Sequence, residues 1–188
     1  MILPIIGLGH PVLREKTQEI TPEYPNLGAL IDNMFETMYN AQGVGLAAPQ
    51  IGLAIRLFVV DGSPMEPGDE EDDLTDFKRV IINPVKVEEH GAPWPYEEGC
   101  LSIPDVRESV KRPEFITIRY QNQNFEEVTE TLSGMKARIV QHEYDHLEGT
   151  LFTDYISPMR RQVIRTRLAK ISKGEVAAPY PMKYGKQK

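Results

Sequence analysis

Cysteine and long apolar runs are scarce in this chain. Its 188 residues include a single cysteine, Cys100, which excludes an internal disulfide and leaves the thiol free for metal binding or catalysis. No apolar stretch approaches the roughly 20 residues of a membrane-spanning helix. The N-terminal residues lack the basic lead and the apolar length of a secretory signal. The sequence therefore predicts a cytoplasmic protein without a disulfide and without membrane contact.

The composition is otherwise ordinary, but the charge is unevenly distributed. Hydrophobic residues make up 40% of the chain and charged residues 26%, as in globular proteins of one domain. Residues 158–188 hold nine Lys and Arg against one acid, so they carry +8, and the rest of the chain carries −15. This charge pattern fits either a solvated helix with a frayed end or a surface for an anionic partner. We expect one catalytic domain over residues 1–174 and a basic tail over 175–188.

The spacing of apolar residues predicts the secondary structure. A helical period predicts a first helix over residues 25–41, and the acidic stretch 62–76 is expected to be a solvated loop. Proline at positions such as 84 and 104 favours short or edge strands. The prediction is an α+β fold, with short, mostly antiparallel strands around a central metal-binding helix and with N-terminal and C-terminal helices. The predicted strands are 55–60, 80–87, 103–110, 115–120 and 125–132, and the other predicted helices are 135–147 and 158–173.

The motif His142-Glu143-x-x-His146 carries the most specific chemical information. Imidazoles four residues apart lie on one face of a helix and can bind one metal ion, and the glutamate can accept a proton from a water molecule there. A third ligand is needed. His10 and His90 have no spacing that ties them to the motif, whereas Cys100, preceded by a glycine, completes a recognised donor set for divalent metals.

The residues around the motif indicate a substrate pocket. Met135, Arg138 and Ile139 share a helix face with the two histidines, so an apolar substrate group has a place beside the metal, although the same residues also suit a core. We expect the Arg138 stem to cover this pocket while its guanidinium reaches water. The segment 43–50, Gly-Val-Gly-Leu-Ala-Ala-Pro-Gln, is interpreted as a loop whose glycines admit a peptide backbone, with Gln50 as a donor.

Three segments in this order resemble the signature motifs of peptide deformylase: G-V-G-L-A-A-P-Q at 43–50, E-G-C-L-S at 98–102 and Q-H-E-Y-D-H at 141–146. The resemblance implies a hydrolase that removes the formyl group from the N-terminal formylmethionine of newly synthesised proteins. It also implies one divalent ion, most often Fe²⁺, with Zn²⁺, Ni²⁺ or Co²⁺ able to replace it. In bacterial members of the family the C-terminal extension can dock on the ribosome, which the basic tail here would permit.

The resemblance also implies a role for each matching residue. Cys100, His142 and His146 are expected to bind the metal, and Glu143 is expected to be the acid–base catalyst. The Leu101 backbone N–H and the Gln50 side-chain amide are expected to stabilise the oxyanion. The residues expected to contact the substrate are Val44, Gly45, Tyr96, Met135, Arg138 and Ile139.

Two alternative functions remain open from the sequence. One is a metallopeptidase of the His-Glu-x-x-His type that cleaves internal peptide bonds, although no histidine follows His146 as a third ligand. The other is a non-catalytic, ribosome-associated domain that has kept the fold.

Overall fold

The computed structural model describes residues 1–65 and 74–185. In these ranges three α-helices are present, and the expected helices agree with them: α1 (Leu27–Asn40), α2 (Gly134–Leu147) and α3 (Pro158–Ser172). Most of the expected acidic loop, residues 66–73, lies outside the described residues. None of the helices in the described ranges has the length and apolar character needed to cross a bilayer.

The strands form three sheets in an α+β arrangement, which confirms the predicted fold class. A five-stranded antiparallel sheet has the order β2-β3-β4-β7-β8, β5 pairs with β6 in an antiparallel ribbon, and β1 pairs with β9 in parallel. The strands are β1 (Ile5–Ile6), β2 (Gly45–Ala47), β3 (Leu57–Asp61), β4 (Lys78–His90), β5 (Trp94–Cys100), β6 (Ile103–Arg112), β7 (Phe115–Gln121), β8 (Glu127–Ser133) and β9 (Met182–Lys183).

One prediction about the strands was wrong. The proline at position 84 was expected to limit its strand to a short or edge position, yet β4 has 13 residues and lies at the centre of the large sheet. The pairing of β4 with β7 shifts between Ile82 and Val85, and Asn83 has a positive φ of 51°. Since this bulge leaves the ladder locally unpaired, Pro84 removes no hydrogen bond that the sheet needs.

Four strands of the described ranges were not predicted: β2 and β5, and the two-residue strands β1 and β9. The segment 43–50 was interpreted as a loop, but residues 45–47 form β2, followed by a 3₁₀-helix over Ala48–Ile51. Strand β5 contains Pro95 and shows no apolar alternation, since Tyr96 and Glu97 are both exposed. The strand is recognised only from its pairing with β6. Proline is tolerated there because each strand of a two-stranded ribbon has one unpaired edge.

Helix α2 is held between the large sheet and the β5–β6 ribbon. One side of the helix packs against β2, β3, β7 and β8 and buries Ala137, Val140 and Leu147 completely. These side chains join a core with Phe58 and Ile118. Each fully buried aliphatic side chain contributes about 1.5–3 kcal/mol to folding, so the core fixes which face of the helix is left for the site.

Candidate active site

The three predicted metal-binding side chains meet at one point. Cys100 is the last residue of β5, where the pairing with β6 is irregular, and the two histidines lie on α2. Cys100 Sγ is 3.4 Å from His146 Nε2, and one donor atom from each of Cys100, His142 and His146 lies within 4.8 Å of the other two. In a tetrahedral site with the usual metal–S and metal–N bonds, ligand atoms are about 3.3–3.6 Å apart. The donor set therefore fits a divalent ion.

The other two histidines lie elsewhere in the structure. His10 Nδ1 accepts a hydrogen bond from the Val12 backbone N–H at 3.2 Å, and His90 stacks on Phe115 with ring centres 4.9 Å apart. Within the described residues, neither belongs to the metal-binding group. This agrees with the expectation that His10 and His90 are not ligands.

Glu98 orients His142 and was not identified as a functional residue from the sequence. Its Oε2 lies 3.0 Å from His142 Nδ1, so a proton on Nδ1 leaves Nε2 free to bind a metal. Glu98 is 5% exposed and accepts two hydrogen bonds from Arg112, at 2.7 and 3.0 Å. Burial by itself would raise the pKa of Glu98, but the hydrogen bonds from His142 and Arg112 hold it well below its usual value. The carboxylate is therefore charged at neutral pH.

Arg112 and Asp145 extend this buried network. Arg112 Nη1 donates to Asp145 Oδ2 at 2.7 Å, and the Arg112 guanidinium lies 4.9 Å from the centre of the Tyr155 ring. Both charged residues are less than a tenth exposed. A buried charge is tolerated when it is paired and hydrogen-bonded, as both are here. The network thus ties α2 to β5 and β6 directly behind the metal-binding group.

The expected position of the Arg138 guanidinium was wrong. Arg138 is 2% exposed, and its Nη1 donates to Glu98 Oε1 at 2.7 Å instead of reaching water. Its Nη2 donates to the Trp94 carbonyl at 2.6 Å, and its guanidinium lies 4.1 Å from the centre of the Trp94 ring. The Glu98 carboxylate on β5 makes burial of the Arg138 guanidinium favourable. The spacing of residues along α2 does not indicate this ion pair, because Glu98 lies on a different element.

Glu143 points into the same space from α2. It is 5% exposed, and within the described residues its buried Oε2 has no hydrogen-bond partner. Burial raises the pKa of Glu143 to about 7, although the nearby charge of His142 partly offsets this rise. A side chain on Gly45 would collide with this carboxylate, so glycine at the start of β2 is required for the close approach. A carboxylate with this pKa can both accept and return a proton at neutral pH.

The two histidines differ in their affinity for protons. Burial favours the neutral form of both. His142 nevertheless has a pKa well above its usual value, because Cys100 and Glu98 accept its hydrogen bonds. The pKa of His146 lies well below the usual value, because of burial and the neighbouring His142 charge. A metal ion and a proton therefore compete for the same position between His142 and the thiolate.

Gln50 is held rigidly next to Cys100. The side chain is 1% exposed, and its Oε1 accepts the Ala47 backbone N–H at 2.9 Å. This bond leaves the amide NH₂ to face the β5–β6 turn, where Nε2 lies 3.3 Å from Ser102 Oγ and 3.5 Å from Cys100 Sγ. The turn also contains Leu101.

These residues surround a cavity of about 590 Å³, a volume typical of small-ligand sites. The cavity brings together all six residues expected to contact the substrate, as well as Gln50, Cys100, Leu101, His142 and Glu143. His146 lies behind them and is 1% exposed. Pro179 and Tyr180, which the sequence analysis placed in the basic tail, also line the cavity.

A Cys/His/His donor set beside a buried glutamate, opening into a cavity, defines the class of metal-dependent hydrolases. The family model described as polypeptide deformylase matches residues 2–162. The chain belongs to the polypeptide deformylase family. Members of this family are metal-dependent hydrolases that remove the formyl group from N-terminal formylmethionine during protein biosynthesis, and the chain is one of these enzymes.

Similar proteins cover almost the whole chain. It is 51% identical to a peptide deformylase of Christiangramia forsetii, over 98% of this chain and 96% of that protein. It is 52% identical to a peptide deformylase of Flavobacterium johnsoniae, over 100% and 98% of the two chains. A crystal structure of a peptide deformylase from Legionella pneumophila superposes with a TM-score of 0.80 at 37% identity, covering 93% of this chain and 98% of that one. Neither alternative function is favoured by this family membership.

Proposed function

We propose that Cys100, His142 and His146 hold the metal and that Glu143 moves the proton when the formyl group is hydrolysed. The observation that carries this proposal is the convergence of three side chains from two distant segments, with donor atoms within 4.8 Å of one another. The neighbouring Glu143 has a buried oxygen with no hydrogen-bond partner among the described residues. A divalent ion held there supplies Lewis acidity, which lowers the pKa of water and polarises the formyl oxygen. The thiolate and the two imidazoles suit Fe²⁺, the ion we favour, as well as Zn²⁺, Ni²⁺ or Co²⁺.

The protein side chains provide the remaining chemistry. Glu143 accepts a proton from the attacking water and returns it to the departing amine, a transfer for which a pKa of about 7 is well matched. The Leu101 backbone N–H and the Gln50 Nε2 donate to the oxygen on which negative charge develops. Because Gln50 is fixed by Ala47, this donor is already oriented before the substrate binds, which is the condition for an oxyanion site to be effective.

The cavity suits a methionine side chain next to the formyl group. Val44, Met135 and Ile139 offer apolar contacts on one side, and the Tyr96 ring borders the opening. Arg138 contributes only the packing of its buried side chain, since its charge is matched by Glu98. Gly45 lines the cavity and, having no side chain, allows the Glu143 carboxylate to lie directly against the backbone that the substrate would contact.

The test is formate release from formyl-Met-Ala-Ser by the metal-replete enzyme, prepared with Fe²⁺ under anaerobic conditions or with Ni²⁺. We expect Glu143→Gln, which keeps the size of the side chain, to retain the metal and to lose about 10²–10⁴-fold in kcat. Glu127→Gln, an exposed residue at the start of β8, is the matched control and should behave like the wild type. Absence of formate release by the metal-replete wild type would refute the function, and a fully active Glu143→Gln variant would refute the mechanism.

We also propose that nascent chains on the ribosome are the substrate and that the enzyme therefore works in the cytoplasm. The basic residues of α3 support docking on ribosomal RNA, because phosphate attracts Lys and Arg. Two of these arginines are already paired with acids of β6: Arg160 with Glu108 at 2.7 Å and Arg167 with Asp105 at 3.0 Å. The residues left for such a contact are exposed ones such as Arg165 and Lys170.

A further inference from the structure

The C-terminal segment (residues 174–185) packs against the catalytic face of the protein. Its strand β9 pairs with β1, where the Ile5 N–H donates to the Pro181 carbonyl at 2.8 Å and the Gly7 N–H to the Lys183 carbonyl at 2.9 Å. The Tyr184 ring occupies the place where a side chain on Gly7 would lie. These contacts fix the segment at one end, immediately after Pro179 and Tyr180 reach the cavity.

Tyr180 meets the cavity at the turn that contains the proposed oxyanion donor. Its hydroxyl donates to the Leu101 carbonyl at 3.0 Å, and its half-buried ring lines the cavity. The turn is bound from two further directions, since the Leu8 N–H donates to the Ser102 carbonyl at 2.9 Å and Gln50 Nε2 contacts Ser102 Oγ. Of these contacts, the one from Tyr180 is made to Leu101 itself.

A bond to this carbonyl acts on the Leu101 N–H through the backbone of one residue, since the two groups lie in adjacent peptide planes that meet at the Leu101 Cα. The backbone of Leu101 has two soft dihedral angles, and holding its carbonyl restricts the rotation that would tilt its N–H away from the cavity. An oxyanion donor is effective only when it is fixed within a few tenths of an ångström before reaction.

We propose that Tyr180 is a positioning residue for deformylation: its hydroxyl anchors the peptide that follows Leu101, which limits rotation about the Leu101 Cα and keeps the Leu101 N–H pointed at the developing oxyanion. The proposal rests on the proposed role of Leu101. Residue 180 lies beyond the part of the chain matched by the family model, so this restraint is supplied by the C-terminal segment and not by the three signature motifs.

Tyr180→Phe tests the proposal because it removes only the hydroxyl. With the Ni²⁺ enzyme, we expect kcat to fall about 10-fold, less than the 10²–10³-fold loss typical when an oxyanion donor is removed altogether. KM should stay within about twofold, because a group that acts on the transition state leaves ground-state binding unchanged. The kcat for formyl-Met-amide and the kcat for formyl-Met-Ala-Ser should fall by the same factor, since the Leu101 N–H serves both substrates.

Tyr184→Phe is the matched control, because it removes a hydroxyl of the same segment that donates to Met182 Sδ at 3.2 Å. It should retain wild-type kcat and KM. A Tyr180→Phe enzyme with wild-type kcat, or one impaired only through KM or only on the longer substrate, would overturn the proposal. Metal content and thermal unfolding of both variants should match the wild type. An inactive wild-type enzyme would instead refute the proposed function, so the two failures are distinguishable.

Discussion

At the scale of single residues, Glu98 holds more of the site together than its place in the sequence indicates. It accepts hydrogen bonds from Arg112 and Arg138 and contacts His142, while being 5% exposed. Removing one member of a buried ion network leaves the others without compensation, at a cost of about 3–5 kcal/mol. Glu98 therefore links the stability of the fold to the orientation of His142, a proposed metal ligand.

The shifted pKa of Glu98 gives a prediction for stability against pH. Because its pKa is lower in the folded protein than the ordinary 4.5, its contribution is complete above pH 4.5 and is lost as the pH falls towards the folded-state pKa. For the metal-free protein, we expect Glu98→Gln to lower the unfolding free energy at pH 7 by about 3–5 kcal/mol. The difference from the wild type should shrink between pH 4.5 and pH 3, as measured by urea denaturation.

The neighbouring exposed residue provides the control for this experiment. Glu97→Gln changes the same charge on the same strand, and we expect a change within about 0.5 kcal/mol at either pH. A difference between wild type and Glu98→Gln that is constant from pH 7 to pH 3 would show that the carboxylate charge is not what stabilises the network.

At the scale of secondary-structure elements, the bulge in β4 determines how the long strand fits the sheet. Asn83 sits at the bulge with a φ of 51°. Its side chain accepts the Ile20 N–H at 2.9 Å and donates to the Ile20 carbonyl at 2.7 Å. The bulge thus ties the sheet to the segment before α1. Asparagine suits the position because it tolerates left-handed backbone angles better than most residues.

Two substitutions of Asn83 distinguish the contribution of its side-chain hydrogen bonds to stability from that of its backbone conformation. Asn83→Ala loses both hydrogen bonds to Ile20 and a third to Gln121 Oε1. It also keeps an unfavourable Cβ, so we expect a loss of about 2–4 kcal/mol in unfolding free energy. Asn83→Gly loses the same bonds without the Cβ penalty and should be about 1 kcal/mol more stable than the alanine variant. Equal stabilities of the two variants in urea denaturation would mean that the positive φ does not persist in them.

At the scale of the whole molecule, the distribution of charge distinguishes α3 from the acidic rest of the chain. The pairs Arg160–Glu108 and Arg167–Asp105 use part of the positive charge of the helix to bind it to β6. Arg165 and Lys170 remain exposed. A contact with ribosomal RNA through α3 would therefore depend on fewer cations than the five Lys and Arg in the helix.

This distribution predicts the effect of charge reversal on ribosome binding. In co-sedimentation with ribosomes at several salt concentrations, we expect Arg165→Glu with Lys170→Glu to weaken binding. The slope of log affinity against log salt should become shallower by about 2, because two fewer RNA phosphates are neutralised by the protein. Lys111→Glu with Arg119→Glu, an equal change on exposed body residues, is the control. If both double variants bind like the wild type, α3 is not a ribosome-binding surface.

The division of the chain at residue 174 stays a prediction. The described part of the C-terminal region nevertheless lies against the first strand, and it reaches the cavity with Tyr180. A stretch rich in Pro and Lys has no periodicity that would place it, because its partners, Ile5 and Leu101, are far away in the sequence.

The sequence by itself determined the helices, most of the strands and the candidates for metal binding, because these depend on local spacing and on residue chemistry. Two histidines four residues apart share a helix face in any fold, and a chain with one cysteine offers only one thiolate to join them. Only the tertiary structure decided the surroundings of the site. The burial of Arg138 against Glu98, the orientation of His142 and the contact of Tyr180 with Leu101 all join residues 40 or more positions apart. Such contacts are selected by packing and charge pairing in three dimensions, which leave no periodic signal along the chain.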